Sequence, residues 1–198
     1  MKDTSKTSKE FEKVLFALLE EKNYHDITIN EICALTNKTK MTFYSYFKDK
    51  EDLLSKASIN LINYEYNEAY EKIKIKETSS EEIEYLSILE TYEWVARHYN
   101  QIQNLIYKGE TLPFEIFKKA LYINYSKYIT YAISSSGIDI PSDYLSVFCF
   151  EGIFGSCLYY AEQLKNNKSK KKTKESIKKI CRLLAKFVMV VEKGEEKS

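Results

Sequence analysis

The chain has 198 residues, enough for one or two domains, and 44% of them are hydrophobic, which is enough for a packed core. Its five glycines and two prolines are few, and no alternating strand pattern persists, so the composition favours an all-α protein. The net charge is +1 and the isoelectric point about 7.5. These values exclude a globally basic nucleic-acid binder, so any contact with DNA has to come from a local patch of charge.

Catalysis, metal binding and membrane insertion are not indicated by the residue pattern. His25 and His98 are isolated, and no nucleophile–base or paired-carboxylate arrangement is present, so we expect no enzyme, no metal and no cofactor. The sequence has no secretory signal and no long apolar run, which predicts a cytoplasmic protein without a membrane partner. Four cysteines lack a CxxC pair and stand among apolar residues, which favours buried reduced thiols: Cys33, Cys149, Cys157 and Cys181.

The first helix is predicted from about Ser8 to Lys22, after a polar N-terminal tail. Apolar residues recur there at the spacing of a one-sided helix, which would cover the elements that follow. These residues are Phe11, Val14, Leu15, Leu18 and Leu19.

Residues 28–47 are predicted to form two short helices joined by a tight turn. The first helix runs from Thr28 to about Leu35, and Asn37 suits the left-handed turn position that follows. Thr39 can cap the second helix, which continues to about Tyr46. The result is a helix-turn-helix arrangement.

The second of these helices is predicted to be presented at the surface. Phe43 and Phe47 are four residues apart and can anchor it to a core. A short helix anchored in this way is what a helix-turn-helix protein places in the major groove of DNA. The residues left facing outward are Lys40, Met41, Thr42 and Tyr44.

The span 22–54 resembles the DNA-binding domain of the TetR family of bacterial transcriptional regulators. Three positions depart from the family pattern, which usually has Gly at Asn37, an apolar residue at Lys38, and Gly or Ala at Met41. The departures leave the operator sequence open. The matching features are Tyr24 before Ile27-Thr28, Ile32, Thr39, the Thr42-Phe43-Tyr44 run, Phe47, and Lys50-Glu51 followed by Leu53-Leu54.

The resemblance implies that Tyr44 and Lys50 contact DNA phosphates. A cation at Lys50 is disfavoured by the dipole of the helix that starts there, and a docked phosphate would offset that cost. The only two arginines, Arg97 and Arg182, are far along the chain, so Lys40 would have to replace arginine in reading guanine. The predicted DNA-binding residues are Thr28, Lys38, Thr39, Lys40, Met41, Thr42, Tyr44 and Lys50.

About nine helices are predicted in all, in two domains, 1–55 for DNA binding and 56–198 for dimerisation and sensing. Asp49 is placed to cap a fourth helix that continues to about Ile75, and Ser80 to cap a fifth. A weaker helical stretch follows from Asn100 to Gly109. Pro113 suits the first turn of the next helix, which is predicted to stop at Gly137.

The last two helices, about 142–165 and 173–193, are predicted to form the dimer interface. The first of them is apolar around its whole circumference and has to be covered on every side. Its mid-helix glycines cost about 1 kcal/mol each relative to alanine, and close approach of a partner backbone would offset that. TetR-like proteins dimerise through such a pair of helices, and the run 148–155 is also similar to the subgroup of the dihydroxyacetone-kinase operon activator. The predicted interface residues are Phe148, Gly152, Gly155, Ser156, Tyr159, Ile180, Leu184 and Phe187.

Aromatic residues concentrated in the middle of the chain suggest an effector pocket, although plain core packing is an equally good reading of each ring taken singly. Glu90 and Glu93 could favour a cationic guest or be ordinary surface carboxylates, so the charge of the effector stays open. The predicted lining residues are Tyr85, Tyr92, Trp94, Tyr99, Phe117, Leu121, Tyr125 and Tyr128.

Together these features predict a homodimeric, ligand-responsive repressor that binds a palindromic operator and releases it with a small apolar or aromatic effector. The alternative is a regulator or adaptor whose C-terminal domain binds a partner protein, as an activator of a metabolic operon would. A closed apolar cavity would favour the first reading, and a large apolar patch left exposed after dimerisation would favour the second.

Overall fold

A computed structural model describes residues 6–77, 79–134, 141–166 and 169–193, with side chains apart from those of residues 127–134, 142 and 187–193. Within these ranges the chain forms nine α-helices, one 3-10 turn and no β-strand, which confirms the predicted all-α class. The elements are α1 (Lys6–Glu21), the 3-10 turn (Tyr24–Asp26), α2 (Ile29–Leu35), α3 (Lys40–Tyr46), α4 (Lys50–Lys76), α5 (Ser80–Arg97), α6 (Tyr99–Gln103), α7 (Leu112–Ser134), α8 (Ser142–Asn166) and α9 (Lys170–Lys193).

The chain divides into two compact units. Unit 1 contains Met1–Ile62 and Asn100–Leu121, and unit 2 contains Asn63–Tyr99 and Tyr122–Ser198. The chain therefore passes between the units three times. The functional division predicted at residues 55 and 56 stays a prediction, because compactness does not test which residues form a functional domain.

Unit 1 has a core built on aromatic rings. Phe11 of α1 meets the edges of Phe43 and Phe47, with ring centroids 5.5 and 6.0 Å apart. These three rings are fully buried, as are Leu53 and Leu54 from the start of α4. Burying such side chains contributes about 1.5–3 kcal/mol each. The core therefore joins α1, α3 and α4, and it confirms Phe43 and Phe47 as the predicted anchors.

A segment distant in sequence completes unit 1. The side-chain amides of Gln101 and Asn104 donate to the carbonyls of Phe16 (3.1 Å) and Leu19 (2.8 Å) in α1. The backbone N–H of Tyr24 in turn donates to the Asn104 carbonyl at 2.8 Å. The last turns of α1 and the start of the 3-10 turn are thus tied to residues 101–104.

Unit 2 packs α5 against α8 and α9. Tyr92 of α5 lies edge-on to Tyr160 of α8 and shares a 2.7 Å hydrogen bond with Ser156. Cys157 of α8 and Cys181 of α9 are fully buried in the same layer, and both thiols are free. Burial raises the pKa of the Cys157 thiol above its ordinary value, so this group stays protonated as the sequence predicts for a buried cysteine.

Helix starts follow the predicted capping chemistry with one exception. Asp49 accepts a 2.7 Å hydrogen bond from the backbone N–H of Asp52 and so caps α4 as predicted. The prediction for α5 was wrong by one residue, because Ser79 occupies the N-cap position and its side chain makes no capping hydrogen bond. Pro113 lies in the first turn of α7 as expected. Gly137, the predicted stop of α7, lies outside the described residues.

Helix α8 is the most ambiguous element by composition. The segment Asp143–Asn166 is long and apolar enough to cross a membrane. Core helices of soluble proteins pass the same test, so length and composition alone do not indicate a membrane span. Only a third of its most apolar window is buried within the chain. The predicted all-round apolar helix therefore has a side that the described residues leave open.

Candidate nucleic-acid interface

The turn between α2 and α3 has the geometry expected for a helix-turn-helix. Asn37 has φ of +53°, which confirms the left-handed position predicted for it. Its N–H donates to the Ala34 carbonyl at 3.1 Å, and the N–H of Lys38 donates to the Cys33 carbonyl at 2.9 Å. These two bonds form a Schellman motif with asparagine in the place usually taken by glycine. The turn is therefore closed by the backbone and not only by packing.

Threonines cap both helices of the motif. Thr28 accepts a 3.2 Å hydrogen bond from the N–H of Glu31, and Thr39 accepts one of 3.2 Å from the N–H of Thr42. The hydroxyls of Thr39 and Thr42 also lie 3.0 Å apart in a hydrogen bond. Each cap contributes about 1 kcal/mol to helix stability. Both threonines are exposed at the same time, so their side chains stay accessible to a ligand.

Helix α3 presents its outer residues to solvent as predicted. Met41 is 84% exposed and Tyr44 is 54% exposed, while Lys40 is exposed and Thr42 half-buried. Leu35, at the end of α2, is also exposed and was not among the predicted residues. The surface offers a cation, hydroxyls, a thioether and a phenol side by side.

Two predicted DNA-binding lysines already have partners inside the chain. Lys38 lies 3.5 Å from the carboxylate of Glu10 on α1, and both side chains are about one-third exposed. Lys50 donates to the carbonyls of Tyr24 (2.8 Å) and Ile27 (2.7 Å). Neither ammonium is therefore a free surface charge, in contrast with the exposed side chain of Lys40.

The predicted dimer residues form an exposed stripe on unit 2. Phe148 is 75% and Tyr159 65% exposed, and Gly152, Gly155 and Ser156 lie exposed between them on α8. Among the described residues nothing lies within 4 Å of the position that a Cβ would take on either glycine. On α9, Ile180 is exposed and Leu184 half-buried, and Leu183, which was not predicted, is 69% exposed; the Phe187 side chain lies outside the described residues.

The predicted pocket residues are divided between the two units. Phe117 and Leu121 belong to unit 1, while Tyr85, Tyr92 and Trp94 are buried in unit 2. Tyr99 and Tyr125 also belong to unit 2 and are partly buried. The Tyr128 side chain lies outside the described residues.

Several polar groups of unit 2, both part-buried and exposed, are paired with one another. Trp94 donates to Glu65 at 2.8 Å. Tyr160 donates to Glu93 at 2.7 Å, and Arg97 pairs with Glu90 at 2.6 Å. The two glutamates that could have favoured a cationic guest thus have partners within the chain, which weakens that reading.

Tyr125 is the exception in this interior. Its hydroxyl is buried and has no hydrogen-bond partner among the described residues, while its ring lies 5.6 Å from that of Phe150. Burial, followed by the charges of Cys149 and Tyr66, raises the pKa of Tyr125. A buried hydroxyl without a partner costs about 1–3 kcal/mol, so this group is a candidate contact for a bound molecule.

Comparisons with known proteins agree with this geometry. Residues 13–57 match the model of the family described as bacterial regulatory proteins, tetR family. A solved structure of the transcriptional regulator FadR from Bacillus subtilis in complex with stearoyl-CoA has 18% identity and a TM-score of 0.58, and the match covers 94% of this chain and 98% of that one. No curated protein matches the chain.

A TetR-family transcriptional regulator from Syntrophomonas wolfei is similar at 19% identity with a TM-score of 0.66, over 92% of this chain and 96% of that one. The dihydroxyacetone kinase operon activator DhaS aligns over 93% of this chain and 92% of that one at 18% identity, but its TM-score of 0.42 is too low to carry an argument. At these identities the solved structures show a shared fold and nothing about ligands.

Proposed function

We propose that this chain, whose residues 13–57 belong to the TetR family and whose fold is that of a TetR-family transcriptional regulator, is a cytoplasmic, non-enzymatic repressor. In this proposal it binds a palindromic operator as a homodimer and leaves it when a small molecule binds unit 2. The observation that carries the proposal is the exposed outer side of α3, held by the buried Phe43 and Phe47 and capped by Thr39.

Each outward residue of α3 has a distinct task in this proposal. Lys40 and Thr42 donate to base edges or phosphates, and the Tyr44 hydroxyl donates to a phosphate. Met41 supplies an apolar contact for a thymine methyl group. Thr28 and Thr39 add hydroxyl contacts at the helix starts, and Lys38 takes a lesser part because Glu10 competes for its ammonium.

The test of DNA binding is selection of duplexes from a random library, followed by titration of the selected sequence at several salt concentrations. We expect an inverted repeat and an affinity that falls steeply with salt, because phosphate contacts release counterions. Tyr44→Phe removes one hydroxyl from the exposed surface, with Tyr64→Phe on α4 as the matched exposed control. Selection of no sequence, or unchanged affinity for Tyr44→Phe and Lys40→Ala alike, would reject the interface.

The homodimer rests on the exposed stripe of α8 and its neighbours on α9. The side chains at 144, 148 and 159 and the small residues at 152, 155 and 156 occupy one side of α8, where i, i+4 and i+7 positions align. Ile180 and Leu183 extend the apolar surface on α9. A second copy that covers this stripe would bury its rings and approach closely at the glycines. In a two-fold dimer the two copies of α3 would lie about 34–36 Å apart, or a multiple of that spacing.

The effector in this proposal is mostly apolar and contacts the Tyr125 hydroxyl as a hydrogen-bond acceptor. The aromatic interior of unit 2 supplies apolar surface, and Tyr125 supplies a buried hydroxyl without a partner among the described residues of this unit. Because a protein of the same fold was crystallised with stearoyl-CoA, acyl thioesters join apolar aromatics in the panel of test compounds.

A second candidate is a regulator whose unit 2 binds a partner protein. The observation in its favour is the exposed stripe of α8, which a foreign helix could cover as well as a second copy could. Sedimentation of the purified protein separates the two. A stable dimer favours the repressor, and a monomer that still binds half-site DNA favours the partner-binding regulator.

A further inference from the structure

The ammonium of Lys50 is held within unit 1. Its Nζ donates to the carbonyl oxygens of Tyr24 at 2.8 Å and Ile27 at 2.7 Å, and it lies 4.1 Å from the centroid of the Tyr24 ring. The side chains of Tyr24 and Ile27 are buried, and Lys50 is half-buried. Two of the three ammonium donors are therefore used inside the protein.

These two carbonyls lie at the entrance of the helix-turn-helix. Tyr24 starts the 3-10 turn, and Ile27 directly precedes Thr28, the N-cap of α2. Lys50 is the first residue of α4. One side chain thus connects the beginning of α4 to the segment directly before α2.

The local electrostatics fit this arrangement. A cation in the first turn of a helix is disfavoured by the partial positive charge of the helix end. Two carbonyl oxygens and the face of the Tyr24 ring offset that cost without any external anion. Burial lowers the pKa of Lys50, and the charges of Glu51 and Asp26 act in the opposite direction.

We propose that Lys50 is a positioning residue for DNA binding, which fixes residues 24–28 against α4 and thereby orients α2 and α3, and that it does not pair with a phosphate. The inference deepens the proposed function and depends on DNA binding by the helix-turn-helix. It assigns to Lys50 a role different from the phosphate contact that the family resemblance implies.

The two roles differ in their salt dependence. Each phosphate that a protein neutralises adds about 0.9 to the slope of log affinity against log salt. Loss of a phosphate contact therefore weakens binding and flattens the slope together. Loss of a positioning residue weakens binding while every phosphate contact of the remaining protein is kept, so the slope stays that of the wild type.

The experiment compares Lys50→Met with Lys40→Met on the selected operator duplex. Methionine keeps an unbranched side chain at this position and removes all donors, and Lys40 is a matched exposed lysine that loses the same charge. We expect Lys50→Met to bind about tenfold more weakly, at the scale of a lost charged hydrogen bond, with an unchanged salt slope. A slope flattened by about 0.9, or wild-type affinity, overturns the proposal.

A second measurement avoids dependence on the stability of the variant. In wild-type protein with 15N-labelled lysine, the Lys50 ammonium resonance should be visible without DNA and keep its chemical shift when the operator duplex is added. A shift on DNA binding that matches the shift of Lys40 overturns the proposal. Failure of the wild type to bind any duplex rejects the proposed function instead, so the two failures are distinguishable.

Discussion

At the scale of single residues, the identity of Met41 sets what α3 can read in the proposed function. Its side chain is 84% exposed, so its thioether and methyl group are accessible to a base. No arginine occurs before Arg97, so bidentate reading of guanine by arginine is not open to α3. Thymine methyl groups are the base feature that best matches an apolar side chain.

We therefore expect one thymine of the selected half-site to interact with Met41. Replacing that thymine by deoxyuridine removes only the 5-methyl group and should weaken wild-type binding about fourfold, the scale of one buried methyl. The same replacement should leave the affinity of Met41→Ala unchanged. Equal losses for both proteins in a titration series would show that the methyl group is read by another residue or not at all.

Tyr125 offers a second test at this scale. Tyr125→Phe removes a buried hydroxyl without a partner among the described residues, so we expect the free energy of unfolding in urea to rise by up to about 1–3 kcal/mol. Tyr160→Phe is the matched control, because its hydroxyl donates to Glu93 and its loss should destabilise. A lower stability for Tyr125→Phe would mean that its hydroxyl has a partner in solution.

At the scale of elements, turns and helix caps could be predicted, but contacts between residues distant in sequence could not. Asn37 and Thr39 were predicted because a left-handed turn and an N-cap depend on residues within one turn of the chain. The partners of Lys38 and Lys50 could not be predicted, because they are set by packing. Glu10 lies 28 residues before Lys38, and Tyr24 and Ile27 lie 26 and 23 residues before Lys50. The predicted N-cap of α5, Ser80, was one residue too late, because either Ser79 or Ser80 could cap this helix.

The glycines of α8 carry the prediction at this scale. A Cβ at position 155 would meet no atom within 4 Å among the described residues, and Gly155→Leu should favour the isolated helix by up to about 1 kcal/mol. In a dimer that approaches closely at this position the same leucine should cost roughly 1–3 kcal/mol or more. We expect the variant to sediment as a monomer and to keep its helicity.

Asn67→Leu, which adds an exposed leucine on α4, is the control for non-specific association. It should sediment as the wild type does. A dimer of unchanged strength for Gly155→Leu would move the interface away from this stripe of α8.

At the scale of the whole molecule, operator affinity and effector affinity have to be linked. A compound that binds the form unable to hold DNA lowers operator affinity by its differential affinity for the two forms, and the operator lowers effector affinity by the same factor. We expect an apolar acceptor-bearing ligand to release a labelled operator. We also expect saturating operator to lower the affinity for that ligand, measured by calorimetry, by an equal factor.

Tyr125→Phe should lower the affinity for this ligand, while Tyr64→Phe, at an exposed site on α4, should leave it unchanged. A ligand that binds with the same affinity in the presence and absence of operator would not be an effector.

Most of the helices could be predicted from periodicity and caps, but the grouping of the helices into units could not. Residues 100–121 carry no local sign that they belong with α1, since the relevant bonds join amide side chains to backbone carbonyls 85 residues away. Exposure of α8 was predicted only indirectly, through its excess of apolar residues and its glycines. Long-range pairing of this kind depends on the folded chain as a whole.

The hydrogen bonds of Gln101 and Asn104 to α1 also limit how this protein can be taken apart. A fragment ending at Ile62 would leave the Tyr24 N–H and two carbonyls of α1 without these partners. Hybrid regulators that join residues 1–62 to a foreign sensor would inherit the same defect. Transplanting the DNA-reading function therefore requires the recipient to supply an equivalent of residues 100–121, so the smallest portable module of this chain is discontinuous.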